Sequence, residues 1–154
     1  MSQSPALNPP VRGQCSCGAI KFKFSPESLL AYECHCSICR KATGSAFSTT
    51  LMAPESGFSW IHGEDRVSSY SKEGGYRVSF CSHCGSPVPN KFRTFPLYSV
   101  PAGSIDGSPD INVIVKLHLG SRAQWDKDNF EGKRFLEMPI LNEMLELLHV
   151  QAKP

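Results

Sequence analysis

A chain of 154 residues, with 40% hydrophobic and 19% charged residues, has the length and composition of one globular domain, which excludes a disordered or low-complexity protein. The formal net charge is only +2 and the basic residues are scattered, so a nucleic-acid-binding surface is not expected. No apolar run is long enough to span a bilayer, and the first residues lack the pattern of an export signal, so we expect a cytoplasmic protein without membrane contact.

Short apolar runs separated by turn residues predict an all-β fold. In residues 18–24, Ile20, Phe22 and Phe24 alternate with two lysines, which is the pattern of a half-buried strand. Twelve glycines and twelve prolines supply turns between the runs. Further strands are predicted, in chain order, at residues 46–51, 58–61, 66–70, 76–80, 98–100 and 111–119, with a loop at 101–109.

The C-terminus carries the one helix that the sequence predicts. Behind Pro139, apolar residues recur at helical spacing through residues 140–148. We expect this short helix to pack on the core of the same domain. Many short antiparallel strands with one terminal helix are therefore the expected architecture.

Seven cysteines fall in three tight clusters, and this spacing is the most informative feature of the chain. The clusters are Cys15-x-Cys17, Cys34-x-Cys36-x-x-Cys39 and Cys81-x-x-Cys84. Closely spaced thiols in a reducing compartment are typical of zinc sites, and an odd number of cysteines cannot all form disulfides. Zinc is favoured over an iron–sulfur cluster, because common cluster spacings require four cysteines and the middle group has three.

The seven thiols divide into four and three. Residues two apart in a strand point the same way, and Gly85 behind the last pair suits a turn that needs positive φ. The middle group offers three sulfurs by itself, so Cys15, Cys17, Cys81 and Cys84 form the expected closed tetrad, although other divisions remain possible. A closed tetrad is structural, whereas a site with three protein ligands leaves a position free for chemistry.

Four histidines are candidates for a fourth ligand at the middle group: His35, His62, His83 and His118. His35 and His83 lie inside clusters and are expected to face away from the metal.

Other residues near the middle group have two interpretations each. Arg40 and Lys41 could attract a carboxylate, but a solvated basic pair is favoured. The segment with Ser45, Ser48 and Thr49 could line a pocket or form an ordinary strand. Trp125 could be a pocket wall, although a buried aromatic is the expected default.

The cysteine motifs together resemble the glutathione-dependent formaldehyde-activating enzyme family, which also includes centromere protein V. The resemblance is carried by Gly13-x-Cys-x-Cys-Gly18, Cys34-His-Cys-Ser-Ile-Cys-Arg40-Lys-x-x-Gly44 and Phe80-Cys-x-x-Cys-Gly-Ser86, with Pro101-Ala-Gly-Ser-Ile-Asp106 and Trp125 later in the chain. It covers residues 12–136. We therefore expect a tail at residues 1–11, which we predict to be flexible, a zinc-binding domain at 12–136 and a helical extension at 137–154.

The resemblance implies a fold, two metal sites and an activity. The fold would be a β-tent of antiparallel sheets pinned by two zinc ions per chain. One zinc would be structural, on Cys15, Cys17, Cys81 and Cys84, and the other catalytic, on Cys34, Cys36 and Cys39. The activity would be that of a carbon–sulfur lyase similar to S-(hydroxymethyl)glutathione synthase, with a glutathione-like thiol and an aldehyde as partners.

The chemistry of three thiolates agrees with a thiol substrate. Three thiolates on zinc leave a net charge of about −1, which suits a soft sulfur nucleophile better than the activation of water. The alternative is a zinc-stabilised protein-interaction module in which the middle group is only structural. A zinc ribbon that binds nucleic acid ranks last, because no stripe of basic residues is present.

Overall fold

The computed structural model describes residues 9–127 and 131–151, which form twelve strands and two helices. The strands are β1 (Val11–Gln14), β2 (Lys21–Phe24), β3 (Leu30–Cys34), β4 (Ser48–Pro54), β5 (Phe58–His62), β6 (Val67–Ser71), β7 (Arg77–Cys81), β8 (Pro87–Val88), β9 (Asn90–Lys91), β10 (Leu97–Pro101), β11 (Asn112–Leu117) and β12 (Lys133–Arg134). The helices are α1 (Ser37–Thr43) and α2 (Leu141–Leu147). Neither has the length and apolar character needed to cross a membrane within the described residues.

The strands form three sheets, which confirms the mainly β fold. The orders are β1-β2-β5, then β12-β11-β3-β4-β10-β9, and β6-β7-β8. Most pairings are antiparallel, but β11 runs parallel to both β3 and β12. We call the six-stranded sheet the central sheet. Its strand β3 ends at Cys34 and lies between β11 and β4.

Two apolar clusters make up most of the core. Phe22 and Phe24 on β2, which are fully buried, pack with Leu51 and Val100 of the central sheet. On the sheet's other side, a second cluster joins β3 and β11 to α2, whose Met144 is also fully buried. The terminal helix therefore packs on the core as expected, with its amphipathic stripe turned inward.

Several local expectations were wrong. The strand predicted at residues 18–24 starts only at Lys21, and Cys15 and Cys17 lie in the turn between β1 and β2 rather than in one extended strand. Residues 37–43, for which no helix was expected, form α1. Trp125 is 69% exposed instead of buried. Of the predicted flexible tail, residues 1–8 lie outside the described part, as do residues 152–154 of the C-terminal extension, and the described chain enters β1 at Val11.

Candidate functional site

The first cysteine group is assembled from two turns that belong to different sheets. Cys15 and Cys17 lie in the β1–β2 turn, and Cys81 and Cys84 lie at the β7–β8 turn. In each turn, a glycine in the left-handed region donates a backbone hydrogen bond to the first cysteine. Gly18 N–H donates to the Cys15 carbonyl (3.0 Å), and Gly85 N–H donates to the Cys81 carbonyl (2.8 Å). The positive φ expected at Gly85 is confirmed at 76°.

The spacing of these four sulfurs fits a tetrahedral ion. All four lie within 4.8 Å of one another. Cys17 Sγ lies 3.6 Å from Cys15 Sγ and 3.9 Å from Cys81 Sγ. A zinc–sulfur bond of about 2.3 Å in a tetrahedron places sulfurs about 3.8 Å apart. The tetrad that the sequence suggested is thus brought together with the right size for zinc.

The second cysteine group sits where β3 passes into α1. Cys34 ends β3, and Cys36 is the N-cap of α1, with its sulfur accepting a hydrogen bond from Cys39 N–H at 3.3 Å. At the other end of this helix Gly44 adopts φ 64° and donates from its N–H to the Arg40 carbonyl at 2.8 Å. A single helical turn therefore carries Cys39 back beside Cys34 and Cys36, and the three sulfurs lie within 4.8 Å of one another.

Within the described residues, no histidine or carboxylate ligand atom joins the three sulfurs within that distance. His35 lies wholly buried behind the group, whereas His62 and His83 are exposed. His118 lines the cavity described below and occupies the left-handed region with φ 57°. We therefore find three protein ligands at this group in the described part of the chain.

The three cysteines open into a cavity of about 950 Å³. Ser48 and Thr49 of the β4 region line it with the cysteines, and so do Tyr76 from the β6–β7 turn and Arg77 at the start of β7. Ligand pockets typically span about 300–1,000 Å³, and the volume of this cavity lies in that range. Ser45, Arg40 and Lys41 are not among the lining residues.

Arg40 is engaged elsewhere, because its Nη2 donates to the Ser121 carbonyl at 3.2 Å. Its neighbour Lys41 is exposed. The positive charges in the cavity wall come instead from Arg77, Lys91 and Arg93, with Glu73 as a carboxylate. These residues were not predicted from the sequence, because they lie far from the three cysteines along the chain and approach them only after folding.

The proton distribution among the three thiols is uneven. The pKa of Cys39 is lowered to about 6, chiefly by a hydrogen bond from the Cys34 thiol and then by Ser48, Cys36 and His118, which together outweigh the opposing effect of burial. The same interaction, together with burial, raises the pKa of Cys34. Cys39 is therefore a thiolate at neutral pH even without a metal, and thiolates are the form that binds metal.

The pKa of Tyr76, which also lines the cavity, is affected by the charges of the same sulfurs. Burial and then the negative charges of Cys39, Cys36 and Cys34 raise the pKa of Tyr76 to about 12. Its phenol stays protonated at neutral pH, and a neutral phenol is a hydrogen-bond donor. A half-buried donor thus shares a cavity with three sulfur ligands.

Comparison with known proteins gives a family for this chain. The profile of the family described as "Glutathione-dependent formaldehyde-activating enzyme" matches residues 10–121. A Halomonas elongata protein, provisionally named as such an enzyme, is 33% identical over 84 residues, covering 51% of this chain and 54% of that protein. The match therefore spans about half the length of the curated relative.

One solved structure supports the fold. A crystal structure of a Rhodobacter sphaeroides protein, a structural-genomics target, superposes with a TM-score of 0.53 and 23% identity, covering 66% of this chain and 98% of the other. The similarity is to the fold alone.

Proposed function

Because the chain belongs to the glutathione-dependent formaldehyde-activating enzyme family, we propose that it is a zinc-dependent carbon–sulfur lyase-type enzyme acting on the adduct of a glutathione-like thiol and an aldehyde such as formaldehyde. The observation that carries this proposal is the group of three cysteines with no fourth ligand among the described residues, opening into a large cavity. A merely structural site has no need of such access, so the interaction-module alternative is less well supported.

The proposal includes two zinc ions per chain with different roles. Cys15, Cys17, Cys81 and Cys84 would hold a structural ion, and Cys34, Cys36 and Cys39 a catalytic one. When bound by three thiolates, zinc favours the deprotonated form of an added thiol and can polarise a carbonyl oxygen. We also propose that residues 12–136 form the zinc-binding domain and that 137–154 extend it.

The residues of the cavity wall would orient the two substrates. Arg77 and Arg93 provide positive charge for the carboxylates of a glutathione-like thiol. Tyr76 would donate its phenolic hydrogen to the aldehyde oxygen, where negative charge develops. These groups would hold the thiol sulfur and the carbonyl carbon in one orientation.

The proposed reaction balances without an oxidant or a further reactant. The thiol sulfur forms a bond to the carbonyl carbon, and the π electrons of the carbonyl pass to its oxygen. That oxygen receives the proton that the thiol has lost, giving a hydroxymethyl thioether. The reverse reaction breaks the carbon–sulfur bond and returns the thiol and the aldehyde, which is the lyase direction.

Metal content and thiol binding test the proposal together. We expect two zinc ions per chain, a thiolate absorption change when glutathione is added to the cobalt-substituted protein, and adduct formation from labelled formaldehyde above the spontaneous rate. Cys36→Ser should abolish the thiol response while leaving the fold intact, whereas Cys17→Ser should destabilise the whole domain.

Ser37→Ala is the control, because it changes an exposed neighbour of Cys36 and should behave like the wild type. A single zinc per chain, or a glutathione response that survives Cys36→Ser, would refute the two-site proposal.

A further inference from the structure

A buried cluster of ionisable side chains lies directly behind the three cysteines, and the proposed reaction leaves it unused. His35, between Cys34 and Cys36, has no solvent exposure. Its Nδ1 lies 3.0 Å from Asp126 Oδ2, and its Nε2 lies 3.2 Å from Glu33 Oε2. Each ring nitrogen therefore has a carboxylate oxygen within hydrogen-bond distance, which fixes the orientation of the ring.

Each of these carboxylates also contacts a lysine or arginine side chain. Glu33 Oε2 lies 3.1 Å from Lys116 Nζ on β11, and Asp126 Oδ2 lies 3.2 Å from Arg122 Nε. Burying unpaired charge is strongly unfavourable, and the pairing here leaves each carboxylate with two partners. The cluster therefore links β3 and β11 to the segment that follows β11.

The backbone and an aromatic ring fix the histidine further. His35 N–H donates to the Leu117 carbonyl at 2.9 Å, which continues the pairing of β3 with β11. The ring also lies against Phe47, with 4.9 Å between the ring centroids. These contacts restrict both rotation of the His35 ring and displacement of the backbone at residue 35.

We propose that His35 is a positioning residue, held by Glu33 and Asp126, that fixes the sulfurs of Cys34 and Cys36 for metal binding. Its two chain neighbours are the residues that it would fix, because restraint of the ring and backbone at residue 35 limits the freedom of the residues bonded to it. The inference rests on the proposed metal site at the three cysteines. The closed tetrad lies outside the cluster and provides an internal reference in the same chain.

The test measures cobalt affinity at each site by competition with a chromophoric chelator. The variants are His35→Asn and Asp126→Asn, the second of which keeps the side-chain shape if the first fails to fold. The control is His83→Asn, because His83 also lies between two cysteine ligands but is exposed. Each substitution is also made in the Cys36→Ser protein, in which the affinity of the tetrad is measured alone.

We expect both variants to weaken cobalt binding at the three-cysteine site by about 10–100-fold, as loss of supporting contacts usually does, with an altered cobalt absorption spectrum. The tetrad should keep its affinity, and His83→Asn should match the wild type at both sites. Unchanged affinity at the three-cysteine site, or equal weakening at both sites, would overturn the positioning role and leave the proposed function standing. A wild-type protein that binds one cobalt ion would overturn both proposals.

Discussion

Gly13 occupies a position where the fold has no room for a side chain, so Gly13→Ala is a sharp test of the structure. A Cβ at this residue would lie 2.2 Å from Cζ of Phe22 and 2.4 Å from the carbonyl oxygen of Ser104. Non-bonded carbons are most stable at about 3.5–4.0 Å, so both neighbours would have to move by about 1 Å or more.

Neither neighbour can move easily. Phe22 is fully buried and stacks against Phe24 and Phe58, with ring centroids 6.4 and 6.0 Å away. The Ser104 oxygen is backbone, and the segment around it is tied to β1 by the hydrogen bond from Asp106 N–H to the Arg12 carbonyl at 2.8 Å. Overpacking costs about 1–3 kcal/mol in general, and we expect Gly13→Ala to reach about 3 kcal/mol because both contacts are rigid.

Urea unfolding of the metal-loaded protein measures this change. The control is Gly103→Ala, since Gly103 has ordinary φ and no heavy atom within 4 Å of an added Cβ. That substitution should change the free energy of unfolding by less than about 1 kcal/mol. Gly13→Ala should also weaken metal binding at the tetrad, because Cys15 is two residues away. A loss below about 1 kcal/mol, or one no larger than for Gly103→Ala, would refute the packing described here.

Two further predictions concern the cavity. In chelator-treated protein, Cys39 should react with iodoacetamide at pH 7 well before Cys34, with a midpoint near the pKa of about 6, as read by mass spectrometry. Because its pKa lies below the ordinary thiol value of 9.0, Cys39 contributes stability to metal-free protein that is fully present above about pH 9 and is lost as pH falls through about 6. Equal labelling of the two thiols would contradict this. Tyr76→Phe should lower the rate of adduct formation by about 10-fold or more without weakening thiol binding, whereas Tyr70→Phe, on the exposed face of the same hairpin, should change neither quantity. Equal rates for the two tyrosine variants would exclude a role for the Tyr76 hydroxyl.

A strand with one buried and one exposed face is the easiest kind to predict from a sequence. β2 is the plainest case, because its buried phenylalanines alternate with exposed lysines. β3 was missed, because four of its five residues are buried and include Glu33, so no alternation appears. Its partners in the buried cluster make that carboxylate compatible with a central strand, and one of them, Lys116, lies on β11, far away in the sequence.

The short helix α1 was missed for a related reason. None of its seven residues is buried, so it has no apolar stripe to recognise. It forms because the Cys36 sulfur caps its first turn and Gly44 ends it. Cysteine is not a usual N-cap residue, and its use here became visible only from the geometry.

The two cysteine groups, which the sequence treats as separate, are connected through one strand. Cys81 of the tetrad ends β7, and Arg77 at the other end of the same strand lines the cavity together with Tyr76. A metal ion on the tetrad would link the turn carrying Cys81 and Cys84 to the β1–β2 turn, and it would anchor one end of β7 while the other end lines the cavity of the three cysteines. A strand held at one end by such an ion would position its opposite end more firmly than a free hairpin would. The structural site would thus help to build the wall of the catalytic one, which gives a physical reason for both sites to occur in a single small domain.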